Sequence, residues 1–450
     1  MITSYADLFK ITELRRKFLF TIGMIFVFRL GIYVPVPGLD GQKIKQLLES
    51  NAGALFGMMN MFTGGALENV SVLMLGIAPY ISMSIIVQLL AKTVKSIEEI
   101  QKEGESGRKR LTSYIRIGAI VLSFVQGFSA AAGFESNGLA VGSGFFFKFN
   151  TALTLAAGTA FVMWLGEQIT ERGIGNGISL LIMAGIVARM PAMISQTLTL
   201  ISSGELNPIV ALFMFAFAIS TVLFIVYFEK AQRKIPVQYP KRVVGKQVTQ
   251  SMTQYLPFKL NSSGVYPPMF AGAVFAMLGF VSSFTDLKGL KRIIDSVTSN
   301  IFIYEGITVF LILFFAYVFT AMLVEPEKTA ESLKKNGGFI PSIRPGKETE
   351  NYLTDVLSRL TLWGGIYLAI IAVLPSIIYG QLGQGGFNAI FGGTAILICV
   401  GVMLDTSSQI QSYIMTHNYE AYIKKAEGAS PAKIRGMSRA TQVGGTLIKR

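Results

Sequence analysis

The side chains that could carry out catalysis or bind a metal ion are few and scattered in this sequence. The chain has one cysteine, Cys399, which lies in a hydrophobic stretch, and one histidine, His417. A zinc site needs a cluster of such ligands, so we predict no metal and no cofactor. The sequence also contains no G-x-x-x-x-G-K-[ST] phosphate loop, no H-E-x-x-H zinc motif and no G-x-S-x-G nucleophile elbow. These absences argue against an enzyme.

A glycine-rich run, RGIGNGIS at 172–179, superficially resembles a nucleotide-binding loop. Such a loop belongs to a strand–loop–helix unit, and no such unit surrounds this run. We therefore interpret it as a tight turn that joins two hydrophobic segments.

The composition indicates a protein that crosses a membrane several times. Of the 450 residues, 51% are apolar and only 15% are charged, and the mean hydropathy is +0.52. Soluble domains carry about 25% charged residues. Ten stretches are apolar over roughly the length of a membrane span, at 18–36, 70–91, 115–133, 149–165, 178–198, 208–228, 265–284, 303–324, 360–379 and 389–403.

Basic residues concentrate near both termini and in alternate connections between these stretches. The positive-inside rule places the termini and those connections in the cytoplasm. One outer connection, with Lys288, Lys291 and Arg292, is an exception, and its helical spacing of apolar residues predicts a segment lying on the outer interface.

The predicted fold class is an all-α polytopic membrane protein. Ten transmembrane helices form two inverted five-helix halves around a central pore, because five crossings reverse the direction in which the second half enters the membrane. The predicted regions are a cytoplasmic N-terminal segment at 1–17, halves at 18–201 and 202–409, cytoplasmic loops at 229–263 and 325–359, and a basic cytoplasmic tail at 410–450.

Ionisable residues inside the predicted spans are rare. Arg29 is the clearest intramembrane charge, whereas Glu167, Glu305 and Asp405 lie near span ends. Ion-coupled transporters bury such groups at mid-membrane, so this pattern disfavours them. An arginine at a helix centre costs about 2.5 to 3.5 kcal/mol, and we expect Arg29 to pair inside the bundle or to extend toward the interface.

The two large loops have distinct patterns. Ile235, Val237 and Tyr239 alternate with polar residues and predict a β-like hairpin at 229–263. The second loop predicts a helix stopped by two glycines, a proline-stiffened turn FIPSIRPG, and another helix from Glu348. Arg344 lies at the tip of that turn. The prolines restrict the turn and would hold this charge in place for a partner. The alternative is an ordinary solvated loop arginine.

A short, half-polar stretch precedes the second span. A helix over 56–69 would rise only about 21 Å against a hydrocarbon core of about 30 Å, so it cannot cross a bilayer alone. The stretch contains most of the motif NMFTGGALENV at 60–70.

Eight motifs in order resemble one known family. They are FRLGIYVPVPG, NMFTGGALENV, LGIAPYISMSIIVQLL, KEGESGRKR, WLGEQITERGIGNGIS, EKAQRKIPVQYPKR, LVEPEKTAESLKKNGGFIPSIRPG and FGGTAILI. In this order and at these spacings, the chain resembles the SecY family, the channel subunits of the bacterial Sec protein translocase. The resemblance covers nearly the whole chain.

The resemblance implies a passive channel that passes unfolded secretory proteins across the membrane and releases membrane segments sideways into lipid. Residues 55–69 would be a plug that folds back into the outer funnel. Its motif residues are Phe62, Thr63, Gly64, Gly65, Ala66, Leu67 and Glu68. The alternative is a re-entrant helix that does not move.

The resemblance also implies a ring of apolar side chains at the narrowest point of the pore. Its positions fall on Ile77, Ile81, Ile178, Ile182, Met269 and Ile398. Met269 departs from the usual isoleucine, and its extra rotatable bonds would loosen the seal slightly. Apart from the resemblance, each isoleucine could equally pack between helices or face lipid.

A lateral gate is implied between the second and third helices on one side and the seventh and eighth on the other. Gln88 and Gln126 are candidate polar residues of this gate. Hydrogen bonds between membrane helices average about 0.6 kcal/mol, which suits reversible opening. Alternatively, these two glutamines simply hold neighbouring helices together by hydrogen bonds.

The implied partners are SecE and SecG, the motor ATPase SecA, a ribosome with its nascent chain, unfolded preproteins and lipids, with SecDF and YidC as further partners. The residues predicted to contact SecA or the ribosome are Arg344, Lys241, Arg242, Arg233 and Lys234. The expected location is the bacterial plasma membrane, with both termini cytoplasmic. A small-solute transporter and an intramembrane hydrolase remain the alternatives.

Overall fold

The computed structural model is helical apart from one pair of short sheets. It describes residues 11–41, 63–136, 138–239, 243–244, 247–248, 253–284, 297, 300–381 and 392–427. The helices in chain order are α1 (Thr12–Gly31), α2 (Ala78–Thr93), α3 (Lys95–Lys102), α4 (Glu105–Ser136), α5 (Phe145–Arg172), α6 (Gly177–Val187), α7 (Met190–Ser202), α8 (Pro208–Lys230), α9 (Tyr266–Phe284), α10 (Ile301–Leu323), α11 (Pro326–Lys335), α12 (Lys347–Gln381) and α13 (Gly393–Glu427).

Each of the ten predicted hydrophobic stretches overlaps one of these helices. Within the described residues, seven helices are long and apolar enough to cross a membrane, or eight if a bent pair is counted as one. The helical membrane architecture is therefore confirmed, whereas the number ten stays a prediction. The outer segment with Lys288 and Lys291 lies outside the described residues.

The predicted start of the second span is wrong. The prediction placed a span at 70–91, but residues 70–77 form turns and α2 begins only at Ala78. Val70 and Gly76 have positive φ angles of 49° and 54°, which a right-handed helix cannot contain. Beyond α2 the chain bends by 98° into α3. The helical part of the predicted second span is thus shorter than the sequence suggests.

The helix predicted over 56–69 is also wrong in the part that the structure describes. Residues 63–69 form successive turns, because Gly64 and Gly65 have φ angles of 66° and 92°. Residues 56–62 lie outside the described part. The two glycines of the motif therefore interrupt a regular helix here.

Three other helices differ from their predicted bounds. The fifth span is broken between α6 and α7, where Ala188 and Arg189 separate the two pieces. The helix predicted from Glu348 and the span predicted at 360–379 are one continuous helix, α12. The last helix, α13, extends through Glu427 and so includes part of the predicted tail. Residues 428–450 are outside the described part.

The N-terminal and C-terminal helices meet along two seams. On one side α9 packs against α2 and α4, and on the other α13 packs against α6. One large hydrophobic cluster lies between these seams. It contains residues from both halves of the chain, among them Phe28 of α1 and Phe315 of α10. The apolar stretches therefore converge on a shared core.

The predicted hairpin is confirmed. Strand β1 (Gln232–Gln238) pairs antiparallel with β4 (Thr253–Lys259), and the short strands β2 (Val243–Val244) and β3 (Gln247–Val248) pair with each other. Ile235 and Val237 are buried on one face of β1, as the alternating pattern predicts.

Gly158 of α5 allows the close approach of the turn that precedes α2. A Cβ added to Gly158 would overlap the backbone oxygen of Val72, whereas one added to Gly23 of α1 would have no atom within 4 Å. We expect Gly158→Ala to lower the thermal transition of the purified protein in detergent by several degrees. Gly23→Ala is the matched control and should leave the transition unchanged or slightly raised, because alanine favours helices. Equal transitions for the two variants would contradict this packing.

Candidate functional site

The six side chains predicted to form the pore ring all belong to the large hydrophobic cluster. Five are at most 5% exposed, and the sixth, Ile178, is partly buried against the same cluster. They come from four helices or helix ends: Ile77 and Ile81 from α2, Ile178 and Ile182 from α6, Met269 from α9, and Ile398 from α13. The structure thus brings together residues that are far apart in the sequence, and their role as a ring stays a prediction.

The start of α2 presents two of these side chains on one face. Ile77 caps the helix, and the backbone N–H of Ile81 donates to the carbonyl of Ile77 at 3.1 Å. Pro79 lies in the first turn, where its missing N–H costs no helical hydrogen bond. The one-turn spacing therefore directs Ile77 and Ile81 into the same cluster.

The start of α6 is fixed by the glycine-rich run that the sequence analysis interpreted as a turn. The side-chain oxygen of Asn176 accepts hydrogen bonds from the backbone of Ile178 at 3.1 Å and Ser179 at 3.4 Å. The backbone N–H of Ile174 donates to Thr21 of α1 at 3.1 Å. The interpretation as a turn is confirmed, and the turn sets the position of Ile178.

The segment predicted to act as a plug is buried over most of its described part, whereas Glu68 is partly exposed and Asn69 is exposed. Residues 63–67 are all buried, and Ala66 is completely inaccessible to solvent. Phe62 lies outside the described residues. The backbone of this segment turns twice, with Ala66 N–H donating to Thr63 and Val70 N–H donating to Leu67.

Arg29 holds the backbone of this segment. Its guanidinium donates to the carbonyl oxygen of Gly64 at 2.9 Å. Gly64 also touches α6, since a Cβ added to it would lie 2.8 Å from the Cα of Gly185. We expected Arg29 either to pair inside the bundle or to extend toward the interface. The structure shows pairing inside the bundle.

The segment that follows is joined by backbone hydrogen bonds to the irregular stretch after α1. Val36 N–H donates to Val70, and Val72 N–H donates to Val34, each at 2.9 Å. The hydroxyl of Ser71 adds a hydrogen bond to the carbonyl of Gly31 at 2.9 Å. The irregular stretch therefore satisfies its polar backbone by pairing with another irregular stretch.

The predicted gate residues belong to α2 and α4, the two N-terminal helices against which α9 packs. Gln88 donates to Ser84 of its own helix at 2.9 Å. Gln126 is buried, and its side-chain oxygen has no hydrogen-bond partner in the described part of the chain. An interhelical bond from Gln88 to this oxygen is thus not formed in this arrangement.

The two predicted loops join into one unit, which we call the loop platform: β1, β4, α11, the turn at 336–346 and the first turns of α12. Gln238 and Phe339 exchange two backbone hydrogen bonds, at 2.9 and 3.0 Å. A separate hydrophobic cluster beneath them includes Ile235, Ile340 and Leu353. The sequence predicted each loop but not their union.

Arg344 lies at an exposed turn of the loop platform. The hydroxyl of Thr349 donates to the Arg344 carbonyl at 2.8 Å, and Ser342 has a φ angle of 68°. The turn is therefore held by specific backbone contacts, as its prolines suggest. Arg233 and Lys234 are exposed on β1, and Lys241 and Arg242 lie outside the described residues.

The sequence analysis missed two arginines that form ion pairs between elements. Arg116 of α4 pairs with Glu167 of α5. Arg189, at the break between α6 and α7, pairs with Glu68 at 2.9 Å. Arg189 interrupts an apolar stretch and precedes a proline by two residues, a signal that could have identified it.

Comparison with known proteins gives consistent results. The SecY family model matches residues 71–407. A protein translocase subunit SecY from Escherichia coli is 40% identical over 422 residues, covering 92% of this chain and 95% of that protein. The subunit from Thermus thermophilus is 39% identical and covers 98% of this chain and 100% of that protein.

Solved structures show the same fold. A structure described as a protein-conducting channel matches with a TM-score of 0.62 at 18% identity, covering 88% of this chain and 92% of that chain. Sec61 in a canine ribosome-channel complex matches with a TM-score of 0.59 at 18% identity and the same coverage.

Polar substitutions in the six-residue cluster should let water through it. We expect the double variant Ile81→Ser and Ile178→Ser to raise the ion conductance of reconstituted vesicles several-fold, because hydroxyl groups wet a narrow apolar constriction. The double valine variant keeps the surface apolar and is the control. A seal as tight as that of the native chain would mean that these residues face elsewhere.

Proposed function

Since the chain belongs to the SecY family, we propose how its residues divide the work of a protein-conducting channel. The chain is a channel subunit of a protein translocase and not an enzyme. It passes unfolded secretory proteins across the membrane and releases membrane segments sideways into lipid. The observation that carries the assignment of residues is the convergence of six apolar side chains from both ends of the chain in one buried cluster.

These six side chains form the elastic waist of the channel. Aliphatic contacts are non-directional, so such a ring closes against itself and also around a polypeptide of any sequence. A narrow apolar ring repels water and ions at the same time. Met269 and Ile398 are only 3% and 0% exposed, which supports a closed waist in this arrangement.

Residues 55–69 act as the plug of the closed channel. The described part includes three small residues, Gly64, Gly65 and Ala66: Arg29 binds the carbonyl oxygen of Gly64, and Gly64 contacts Gly185 through its bare backbone. A segment that buries small residues loses little apolar burial when it leaves, because the hydrophobic stabilisation scales with the buried area. This composition supports a reversible displacement.

The seam between α9 and the pair α2 and α4 is the lateral gate. Gln126 supports this role, because its buried side-chain oxygen lacks a hydrogen-bond partner among the described residues. A buried polar atom without a partner costs about 1 to 3 kcal/mol, so it weakens the closed seam. Separation of the seam would let that oxygen bind water or the entering chain.

The loop platform docks the partners that supply energy. We assign Arg344, Arg233, Lys234, Lys241 and Arg242 to contacts with the motor ATPase SecA or with ribosomal RNA phosphates. Three of these are exposed basic side chains on the described platform, and arginine and lysine bind phosphate through charge. Solved structures with the same fold as this chain include Sec61 in a ribosome-channel complex, which supports a ribosome as one partner.

The complete translocase contains SecE and SecG in addition to this chain, and it lies in the bacterial plasma membrane with both termini in the cytoplasm. The support is the 40% identity to bacterial SecY subunits and the alternation of basic connections along the sequence. The spans 1–5 and 6–10 divide the chain into the two inverted halves.

Deletion of residues 55–69 tests the plug. We expect the variant to keep most of its secretion activity and to conduct ions several-fold better than the native chain, because the waist alone seals less well. The measurements are preprotein transport and ion conductance in the same reconstituted vesicles. An unchanged conductance would rule out the plug.

Reversal of the charge at Arg344 tests the docking surface. We expect Arg344→Glu to reduce SecA-driven transport about tenfold or more, because loss of one partner of a charge pair that is buried and hydrogen-bonded at an interface costs about 2 to 5 kcal/mol. The exposed position of Arg344 predicts normal folding. Lys347→Glu, at an exposed residue three positions further on, is the matched control. Transport by Arg344→Glu at the native rate would contradict the assigned role of Arg344.

A further inference from the structure

Arg189 occupies an unusual place for a charged residue. It lies between α6 and α7, in an apolar stretch that continues from Gly177 to Ser202 as a candidate membrane span. An arginine at this depth is unfavourable unless it finds a partner or water. Arg189 therefore needs a specific contact, and the structure supplies one.

The partner of Arg189 is Glu68 of the plug. The Nη2 atom of Arg189 lies 2.9 Å from Oε2 of Glu68, and the two side chains are 24% and 39% exposed. The stem of Arg189 runs over the backbone of the same segment, since a Cβ added to Gly65 would lie 3.9 Å from its Cδ. The contact is thus partly sheltered and still reached by water.

The two arginines of this region hold the plug in different ways. Arg29, on α1, binds the Gly64 carbonyl, which every residue type at that position would offer. Arg189 lies between α6 and α7 and binds the carboxylate of Glu68. This contact depends on the charges of both side chains. Only the second contact can be removed or reversed by changing one side chain of the plug.

We propose that Arg189 and Glu68 form an electrostatic latch that holds the plug closed. Arg189 is a positioning residue, and this role rests on the proposed function of residues 55–69 as the plug. A partly exposed ion pair is weak and is screened by salt, so an arriving polypeptide can break it without breaking a large apolar contact. The strength of this ion pair sets how often the plug leaves its closed position when no polypeptide occupies the channel.

Reconstituted vesicles that contain the full chain test the latch through ion conductance. We expect Glu68→Gln and Arg189→Gln each to raise the conductance at low salt about twofold to fivefold, the range that a partly exposed ion pair supports. The exchanged pair, Glu68→Arg with Arg189→Glu, should return the conductance close to the native value. Arg189→Lys keeps the charge and should restore most of the seal.

Salt dependence separates the latch from a structural role. Raising the salt from about 10 mM to about 1 M should increase the conductance of the native chain relative to that of Glu68→Gln, because only the native chain has an ion pair to screen (Debye length about 30 Å falling to about 3 Å). The control is the ion pair of Glu135 and Lys148, also 2.9 Å long and similarly exposed. Glu135→Gln should leave the conductance unchanged.

The outcomes distinguish the latch from the plug itself. If deletion of 55–69 raises the conductance while Glu68→Gln and the exchanged pair behave like the native chain, the plug stands and the latch is wrong. If the deletion changes nothing, both are wrong. If the single variants raise the conductance and the exchanged pair does not restore it, the contact is structural and the latch is wrong. Equal thermal transitions of native chain and Glu68→Gln exclude misfolding as the cause.

Discussion

The arrangement of this protein depends on one constraint: an irregular backbone inside an apolar bundle must find a hydrogen-bond partner for its polar groups. Residues 63–77 form turns rather than a helix. Their backbone makes hydrogen bonds within the turns, bonds that join Val70 and Val72 to the irregular stretch after α1, and a bond with Arg29. Because several of these partners belong to other elements, the segment can leave its place only when water or new partners replace the lost bonds.

This constraint connects the parts of the channel. The turn that carries Val72 rests on Gly158 of α5, and the same stretch leads directly into Ile77 and Ile81. The position of the proposed waist is therefore set by the irregular segment beside it. Met269 of α9 lies in the same cluster, and α9 also packs against α2 and α4, so the proposed waist and the seam share α2 and α9.

Local patterns predicted what depends on local sequence. Apolar length located the helices, alternation located the hairpin, and the turn residues of RGIGNGIS located the start of α6. The assignment of the six ring positions came from the ordered motifs, since an isolated isoleucine in a membrane helix carries no such information. The patterns did not predict contacts between distant residues: Arg189 and Glu68 are 121 positions apart, and Gln238 meets Phe339 of another loop. The helix predicted over 56–69 was wrong at Gly64 and Gly65, whose positive φ angles are readily adopted by glycine and are incompatible with a right-handed helix.

The continuous helix α12 begins in the loop platform and ends beyond the ninth predicted span. Its 35 residues extend about 52 Å, well over the thickness of the hydrocarbon core of about 30 Å. Leu353 and Leu357 fix one end to the platform, while Leu368 and Ala372 are buried in the central cluster. One continuous helix packed at both places couples the loop platform to the central cluster, so we expect a displacement of the platform to tilt the helix and shift Leu368 and Ala372 within that cluster.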